Sequence, residues 1–550
     1  MASCPPDARA TREPAIHQAR NPNFARQSAF PDTPEVVNVP SENSPVWRYG
    51  FGIVLLWLAV DLCIHIDKPF IGYHEWGSAL WAQTAHNNLR AGLTTTWGVP
   101  SGTYCGPLPI PQNGYFIDHP PLLPLAVTAM FGLFGEQEWA ARLIPIICSI
   151  MTAVLLWLVI GSCAGMRAAT LSAAVFAFQP MELYFGRVVD HEACGLMWIM
   201  AFVFCLRRCH MANDARWRNA ALACLFSGMW TAWPVYILAG VACWFLLATR
   251  RAADKRLAWM IFATTALSIL LYLLHIRLVR ADAWEMFLGV GRFRLGIGTR
   301  TEAGIPWGPW AARQFEYLTL RFSPAAWGLA LIGAICLIKR RTTSEGIRWL
   351  GLATAGTFLI ALLWIVGFRN GAYIHSFWGF YFLAPLSVGA GLGLEALLTL
   401  NEGKDGRQTA RILGFSTAFI ALVLQAGWGT IGTAQLHRGQ HTISGETEPH
   451  DLLPTLGRAI REEFGEETFI ITNLPNQNMP LEYYAHRNFI YFPTIEGWNE
   501  VFRHQGNRCR GLIWMEAPGA SELVAAMPAG KQRLIRLGDL SFCLWKPADA

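Results

Sequence analysis

Residues 73–76 read Tyr73-His74-Glu75-Trp76, and residues 115–122 read Tyr115-Phe116-Ile117-Asp118-His119-Pro120-Pro121-Leu122. Both stretches lie in the loop that follows the first apolar run of the chain, residues 47–66. Acidic and imidazole side chains are costly beside a bilayer and are kept there for a function. Two such clusters between apolar segments therefore predict chemistry at a membrane surface.

The composition predicts a polytopic membrane protein. The chain has 550 residues, of which 53% are hydrophobic and only 15% are charged, and it contains 24 Trp. The first apolar run ends without an Ala-x-Ala cleavage pattern, so it is predicted to be a retained span rather than a signal peptide. The polar, Pro-rich residues 1–46 are predicted to form a disordered cytoplasmic tail. The net charge of +6 is spread between the apolar runs, which indicates membrane topology and no nucleic-acid partner.

Charge is distributed unevenly between the connectors of the apolar runs. Five connectors hold 16 basic and five acidic residues, and by the positive-inside rule they are cytoplasmic. An even number of crossings must then separate neighbouring connectors, so run 219–249 is predicted to cross twice, as two short helices parted near Pro234. The runs are 47–66, 121–135, 143–160, 168–180, 193–206, 219–249, 257–279, 323–338, 348–366, 377–399 and 411–430.

The run 121–135 is treated differently from the others. Its 15 residues are fewer than the ~20 of a spanning helix, so it is predicted to be a re-entrant or surface-lying helix. The count is then eleven full crossings, with a cytoplasmic N-terminus and an extracytoplasmic C-terminus. The segments on the extracytoplasmic side are 67–142, 181–192, 280–322 and 367–376.

The polar tail, residues 431–550, is predicted to be a small extracytoplasmic α/β domain. It combines a helical stretch near 451–464 with four strand-like runs: Thr468–Thr472, Phe489–Phe492, Leu512–Met515 and Phe542–Trp545. Cys509 and Cys543 both lie in it, and whether they pair is left open.

Three groups of acidic and imidazole side chains are candidates for chemistry. Glu75 precedes Trp76–Leu89, which has the pattern of an amphipathic helix lying on the membrane, although Glu75 could instead be only a charge at a helix N-terminus. Asp118 could likewise be only a helix cap. The count of crossings places the cluster Asp190-His191-Glu192, at the outer end of an apolar run, on the same side of the membrane as Glu75 and Asp118. Oxygen and nitrogen ligands of this kind suit a divalent metal, which stays an open alternative; no other cofactor is expected.

The loop 280–322 departs from the positive-inside pattern, since it holds six Arg against four acidic residues. Guanidinium groups suit phosphate oxygens, although membrane head groups would satisfy them too. Arg369 and His375 are further candidates at the outer end of the 377–399 run.

These residues resemble the polyprenyl-phosphate-sugar glycosyltransferases of the GT-C fold, the superfamily of protein O-mannosyltransferases and lipid A aminoarabinose transferases. The likeness is greatest to the rhizobial galacturonosyltransferase-like branch and covers about residues 47–400. The matching motifs, in chain order, are His74-Glu75-Trp76-Gly77-Ser78-Ala79-Leu80-Trp81-Ala82; Tyr115 through Leu122; Phe134-Gly135; Glu138-Trp139-Ala140-Ala141-Arg142-Leu143; Asp190; and His375 before Phe377–Phe382. His74 departs from the pattern, because it stands where the family has the first acid of a pair.

The resemblance implies a mainly α, polytopic membrane GT-C fold with about eleven full transmembrane helices, surface-lying helices in the first external loop and a small C-terminal α/β domain. It implies that residues 47–430 form the catalytic domain. The implied roles are catalysis for Glu75 beside His74, metal binding for Asp118 and Asp190, and donor-phosphate binding for His119. From their place in the sequence, His191 and Glu192 are added as candidate metal ligands, and Arg292, Arg294, Arg300, Arg369 and His375 are added as predicted ligands of the donor phosphate.

The implied activity is transfer of a monosaccharide from a polyprenyl-phosphate donor to an envelope glycan, lipid or protein, with inversion, at the outer face of the plasma (inner) membrane. Two alternatives remain open. A lipid-linked sugar transporter or flippase would place ionisable groups near mid-membrane rather than gather them on one face. A non-catalytic protein that binds envelope polymers is compatible with His74 in place of the expected acid.

Overall fold

The structure is a computed structural model that describes residues 45–548 except 213, 250, 298–303, 341–343, 400–407, 439–450, 475–478 and 493. Apart from Pro45 and Val46, the tail predicted to be disordered lies outside the described residues.

Helices dominate the described chain, and a small sheet follows them. In chain order the helices are α1 Pro45–Cys63, α2 Glu75–Ala91, α3 Leu93–Thr96, α4 Leu122–Phe134, α5 Glu138–Ala164, α6 Met166–Ala177, α7 Pro180–Phe185, α8 His191–Ala212, α9 Ala215–Met229, α10 Pro234–Leu247, α11 Ala252–Arg277, α12 Ala283–Arg294, α13 Trp307–Arg321, α14 Pro324–Arg340, α15 Glu345–Gly367, α16 Arg369–Ile374, α17 Leu383–Thr399, α18 Gln408–Arg438, α19 Leu452–Glu463, α20 Met479–Ala485, α21 Ile495–Gln505 and α22 Ala520–Ala526. Short 3₁₀ turns occupy Gln112–Gly114, Ser376–Phe382 and Gly506–Arg508.

The apolar helices support a multi-pass membrane protein. Within the described ranges, seven helical segments are long and apolar enough to cross a membrane: α1, α5, α8, α11, α15, Ser376–Thr399 and Ser416–Arg438. Helices α13 and α14 are bent by 95° and make an eighth if they are one span. The shorter apolar helices are α4, α6 and α10. The number of eleven crossings and the side on which each loop lies stay predictions.

Two sequence-based expectations about helices agree with the structure. The run 219–249 forms two helices, α9 and α10, and Pro234 is the first residue of α10. Proline is compatible with that position because the first turn of a helix has no use for its missing N–H. The run 121–135 forms α4, a helix of only 13 residues.

The loop between α1 and α5 contains α2, where a surface-lying helix was predicted. Twelve of its 17 residues are buried. Helix α2 packs against α4 on one side and α20 of the C-terminal region on another. It is therefore enclosed by protein on most of its circumference rather than buried on a single face.

The C-terminal region is a five-stranded sheet between two layers of helices. Its strands are β1 Phe469–Thr472, β2 Asn488–Tyr491, β3 Cys509–Trp514, β4 Gly530–Leu537 and β5 Leu540–Pro547, in the order β2-β1-β3-β5-β4. β1 is parallel to β2 and β3, whereas β5 is antiparallel to β3 and β4. Side chains alternate across the sheet, so that Ile470 and Leu512 face α19 and α20 while Ile471 and Ile513 face α21 and α22.

Cys509 and Cys543 are not bonded to each other and are both buried as thiols. Cys543 of β5 stands opposite Ile513, four residues along β3 from Cys509. Strand residues rise about 3.3 Å each, so the register keeps the two sulfurs apart.

Candidate active site

Helix α2 begins in a tight turn that directs His74 and Glu75. His74 has a left-handed backbone conformation, with φ 61°, and the N–H of Glu75 donates to the carbonyl of Gly72 at 3.0 Å. A Cβ on Gly72 would lie 3.0 Å from Cγ of Glu75 and 2.5 Å from the hydroxyl of Tyr184. Glycine is therefore required at this close approach.

Glu75 forms a buried ion pair with Arg142 of α5. Its Oε1 accepts a hydrogen bond from Nη2 of Arg142 at 2.9 Å, and the side chains are 3% and 1% exposed. Arg142 also donates to the backbone carbonyls of Ile66, Lys68 and Pro69, in the loop before α2. The carboxylate that the resemblance implies as a base is thus engaged in anchoring this loop to α5.

Asp118 lies just before α4 and is paired with Arg294 of α12. Nη2 of Arg294 donates to Oδ2 of Asp118 at 2.7 Å, and Nδ1 of His119 is 3.2 Å from Oδ1. Burial would raise the pKa of Asp118, but the charge and hydrogen bond of His119 and the charge of Arg294 hold it below its usual value. Asp118 is therefore a carboxylate anion at neutral pH.

The backbone around Asp118 is fixed by the break between α9 and α10. Nε1 of Trp233 donates to the carbonyl of Asp118 at 2.8 Å, and the hydroxyl of Tyr272 donates to the carbonyl of Ile117 at 2.6 Å. Trp233 lies in that break, directly before α10, and Tyr272 lies in the apolar helix α11. The position of Asp118 is thus set by the membrane part of the chain rather than by its own loop.

Asp190 and His191 form a second acid–imidazole pair at the start of α8. Oδ1 of Asp190 accepts from the backbone N–H of His191 at 2.8 Å and lies 3.2 Å from Nδ1 of the same residue. Burial would raise the pKa of Asp190, but these contacts with His191 hold it below its usual value. A Cβ on Gly77 would lie 2.9 Å from Oδ2 of Asp190, so this carboxylate packs directly on the first turn of α2.

The two pairs meet through their imidazoles. The ring centroids of His119 and His191 are 5.1 Å apart, and Trp81 of α2 contacts both rings at 5.3 Å and 4.5 Å. Asp118, His119, Asp190 and His191 are called the acid–imidazole cluster below. Glu75 makes no hydrogen bond or ion pair with Asp118 or Asp190.

His74 is connected to this region through His375. Their ring centroids are 6.2 Å apart, and the ring of Phe377 lies 5.0 Å from that of His74. Burial and the charge of Arg294 lower the pKa of His375 to about 4, so its ring is neutral at pH 7. The guanidinium of Arg294 lies over the ring of Trp378, 5.9 Å from its centroid.

The remaining predicted arginines are placed differently. Arg292 is exposed on α12, and Arg300 lies outside the described residues. Arg369 is half-buried with its guanidinium 4.5 Å above the ring of Trp307. Of the predicted phosphate ligands, Arg294 and His119 therefore lie beside the buried carboxylate Asp118, and the charge of Arg294 also acts on His375.

The predicted metal ligands are not gathered into one three-atom group in this arrangement, and their metal role stays a prediction. No three ligand atoms of Asp118, Asp190, His191 and Glu192 lie within 4.8 Å of one another, and Asp118 already accepts from a guanidinium. Glu192 is buried in the first turn of α8. One other group, His86, Glu136 and His486, has metal-ligand spacing among the residues that the structure describes.

Comparisons with known proteins bear on this arrangement. A family model described as dolichyl-phosphate-mannose-protein mannosyltransferase matches residues 118–276, a range that begins at Asp118 and includes Asp190. The chain superposes on ArnT from Cupriavidus metallidurans bound to undecaprenyl phosphate, with a TM-score of 0.62 and 12% identity over 91% of this chain and 98% of that chain. The chain has the GT-C fold.

Two further solved structures share this GT-C fold. The archaeal oligosaccharyltransferase AglB from Archaeoglobus fulgidus, in complex with an inhibitory peptide and a dolichol-phosphate, gives a TM-score of 0.58 and 13% identity over 91% of this chain and 74% of that chain. The mycobacterial arabinofuranosyltransferase AftD gives 0.52 and 12% over 92% and 40%. No curated protein sequence matches the chain. The comparisons confirm the predicted GT-C fold but not the rhizobial branch.

The sequence motifs do not reveal the partners of the candidate residues. Arg142 stands inside the motif Glu138-Trp139-Ala140-Ala141-Arg142-Leu143, but nothing in its spacing shows that it pairs with Glu75. Trp81 and Gly77 also lie in a quoted motif, yet their contacts with His191 and Asp190 depend on how α2 packs.

Proposed function

We propose that the chain is a membrane glycosyltransferase that moves a monosaccharide from a polyprenyl-phosphate donor to an extracytoplasmic acceptor, with inversion at the anomeric carbon. The observation that carries this proposal is the Arg294–Asp118 pair, 2.7 Å long, with His119 and His375 beside it. The named GT-C relatives bound to undecaprenyl phosphate or a dolichol-phosphate support the class of donor. The inner membrane and an outward-facing site are part of the proposal.

Arg294 is the residue assigned to the donor phosphate. A guanidinium has five N–H donors in a planar fork, and the contact with Asp118 uses one of them. The side chain is 16% exposed, so the remaining donors can reach a phosphate from outside. Asp118 acts as a positioning residue, because its buried charge holds the fork in place. His119 is assigned a hydrogen-bonding role; burial lowers its pKa below the usual value, whereas the charge of Asp118 acts in the opposite direction.

The chemical step places negative charge on the phosphate. The acceptor hydroxyl forms a bond to the anomeric carbon while the bond from that carbon to the phosphate oxygen breaks and its electron pair stays on the departing lipid phosphate. A preorganised cation at that oxygen stabilises the transition state more than the ground state. Arg294 supplies this cation, and no step in the proposal passes through a metal.

His74 is assigned as the group that takes the proton of the acceptor hydroxyl. Glu75 was the first candidate, but a protonated Glu75 would leave the buried guanidinium of Arg142 without its counter-charge. His74 is adjacent, only half-buried, and faces His375 rather than Arg142. Glu75 is then a positioning residue that fixes the N-terminus of α2.

The phosphate site can be tested by binding alone. Purified protein in detergent is titrated with undecaprenyl phosphate, and Arg294→Ala is expected to weaken binding about 10-fold or more, since a hydrogen bond to a charged group contributes about 1.5–3 kcal/mol. Arg277→Ala, which removes an exposed arginine at the end of α11, is the matched control and should bind normally. Equal affinity of Arg294→Ala and wild type would remove Arg294 from the phosphate site.

A further inference from the structure

Three side chains with metal-binding atoms meet where the C-terminal region contacts the membrane part. His86 lies in α2, Glu136 in the turn between α4 and α5, and His486 in the turn between α20 and β2. One ligand atom of each lies within 4.8 Å of the other two. Nδ1 of His86 is 2.8 Å from Oε1 and 2.9 Å from Oε2 of Glu136, and the rings of His86 and His486 stack with centroids 4.1 Å apart.

The backbone and burial of His486 also point to a ligand. His486 has φ 48°, a left-handed conformation that is unfavourable for a residue other than glycine. Its Nδ1 is buried and has no hydrogen-bond partner among the described residues. A buried imidazole nitrogen without a partner is costly, and a bound ion would satisfy it.

The ligand set selects the class of ion. Two imidazoles and one carboxylate are the donors of zinc sites that have three protein ligands and an open fourth position. Calcium and magnesium prefer all-oxygen shells. Bonds of about 2.0–2.2 Å to a tetrahedral ion separate ligand atoms by about 3.3 Å. The rings of His86 and His486 lie within 5° of parallel, so one of them must rotate before both point at the same ion. The side chain of Glu136 is 34% exposed, which gives it room to move and leaves water access to the fourth position.

Two of the guanidinium groups near the cluster have acceptors of their own, and a third, that of Arg461, is exposed to solvent. Arg90 pairs with Glu466 at 3.0 Å, and Arg487 donates to the backbone carbonyls of Phe464 and His486. The carboxylate of Glu136 is the negative charge closest to the two imidazoles. A divalent cation is therefore matched by one anionic and two neutral ligands.

We infer that His86, Glu136 and His486 bind a divalent transition-metal ion, zinc in preference to calcium or magnesium, which joins the C-terminal region to α2 and to the α4–α5 turn. The site is separate from the acid–imidazole cluster. It acts alongside direct contacts of the same interface, such as the hydrogen bond from the N–H of Cys105 to Asn488 at 2.7 Å. Its role is to hold the two parts of the chain together, so it does not depend on the proposed transfer reaction.

Metal content measured on the full chain tests this inference. Detergent-purified protein is dialysed against a chelator, loaded with ZnCl₂, freed of excess and analysed by mass spectrometry. His86→Ala and His486→Ala are each expected to lose about one equivalent of zinc relative to wild type, since three protein ligands are the minimum for such a site. His504→Ala, at an exposed histidine of the same C-terminal region, is the matched control and should keep it.

A second variant guards against misfolding. Glu136→Gln changes an exposed side chain, and it should abolish the rise in thermal midpoint that zinc produces in wild type without changing the midpoint of the zinc-free protein much. Cobalt added to wild type should give the visible absorption of a four-coordinate ion, which the three variants should lack. Wild type that binds no zinc, or variants that bind as much zinc as wild type, would overturn the inference. The three side chains would then form only a hydrogen bond between His86 and Glu136 and a stack of the His86 and His486 rings.

Discussion

Oε1 of Glu75 lies 2.9 Å from Nη2 of Arg142, and the two buried side chains join the start of α2 to α5. The same guanidinium holds the backbone carbonyl of Ile66 at 2.9 Å. The turn that carries His74 is therefore held in place by a buried charged pair as well as by apolar packing. The two neighbouring residues therefore differ in role: Glu75 fixes the start of α2, and His74 faces His375 in the candidate site.

Removal of either member of that pair should destabilise the protein. Glu75→Gln and Arg142→Met are each expected to lower the free energy of unfolding by about 3–5 kcal/mol, because each leaves an uncompensated buried charge or polar group. Thermal unfolding in detergent provides the measurement. The double variant should cost clearly less than the sum of the single ones, since the two residues are in contact. Glu75→Gln that loses transfer activity while it keeps wild-type stability would instead support Glu75 as the base.

His74 should be needed for turnover but not for donor binding. His74→Ala is expected to reduce sugar transfer about 10²-fold or more, the usual contribution of a general base, with undecaprenyl phosphate affinity unchanged. His74→Asp should retain much of the activity, because a carboxylate can also accept the proton. Near-normal transfer by His74→Ala would assign the proton to another group.

Gly77 should tolerate no side chain. A Cβ there would lie 2.9 Å from Oδ2 of Asp190, so Gly77→Ala is expected to displace that carboxylate and reduce transfer. Gly240→Ala in α10 is the matched control, because a Cβ there meets nothing within 4 Å. Alanine is the better helix former by about 1 kcal/mol, so propensity alone would favour both substitutions. Equal activity of the two variants would show that Asp190 can move without consequence.

His375 should contribute to acid destabilisation. Its pKa of about 4 in the folded protein is below the value of about 6.5 expected when unfolded. Between these values the unfolded state binds more protons, so stability is fully present above about pH 6.5 and is lost as pH falls towards about 4, by up to about 3 kcal/mol. His375→Asn should therefore show a shallower fall of the thermal midpoint over this window than wild type. Parallel curves would mean that His375 is charged or exposed in the fold.

The sequence predicted the fold elements where a local signal was strong. Pro234 split α9 from α10, and four of the five strands coincide with apolar runs. Strand β4 was missed because Gly530–Leu537 is polar and largely exposed, and it forms through its pairing with β5 at the sheet edge. Such pairing has no signature within the strand itself.

Only part of the candidate site could be predicted from the sequence. Parity placed Asp118 and Asp190 on one face, and the structure puts them in one cluster through His119 and His191. The partner of Glu75 was not accessible, because Arg142 is 67 residues away and spacing does not show which side chains meet across packed helices. The sequence does not distinguish Arg294 from Arg292, since the difference in their burial depends on how the end of α12 packs.

Transfer of sugar from a polyprenyl-phosphate donor tests the central claim most directly. Purified wild type and Arg294→Ala are incubated with a panel of labelled undecaprenyl-phosphate monosaccharides and an envelope extract, and release of undecaprenyl phosphate is followed with and without the acceptor. The account predicts acceptor-dependent release by wild type for at least one donor, and a loss of about 10-fold or more in Arg294→Ala. Movement of intact donor across vesicles without release, or release that is unaffected by Arg294→Ala, would contradict it.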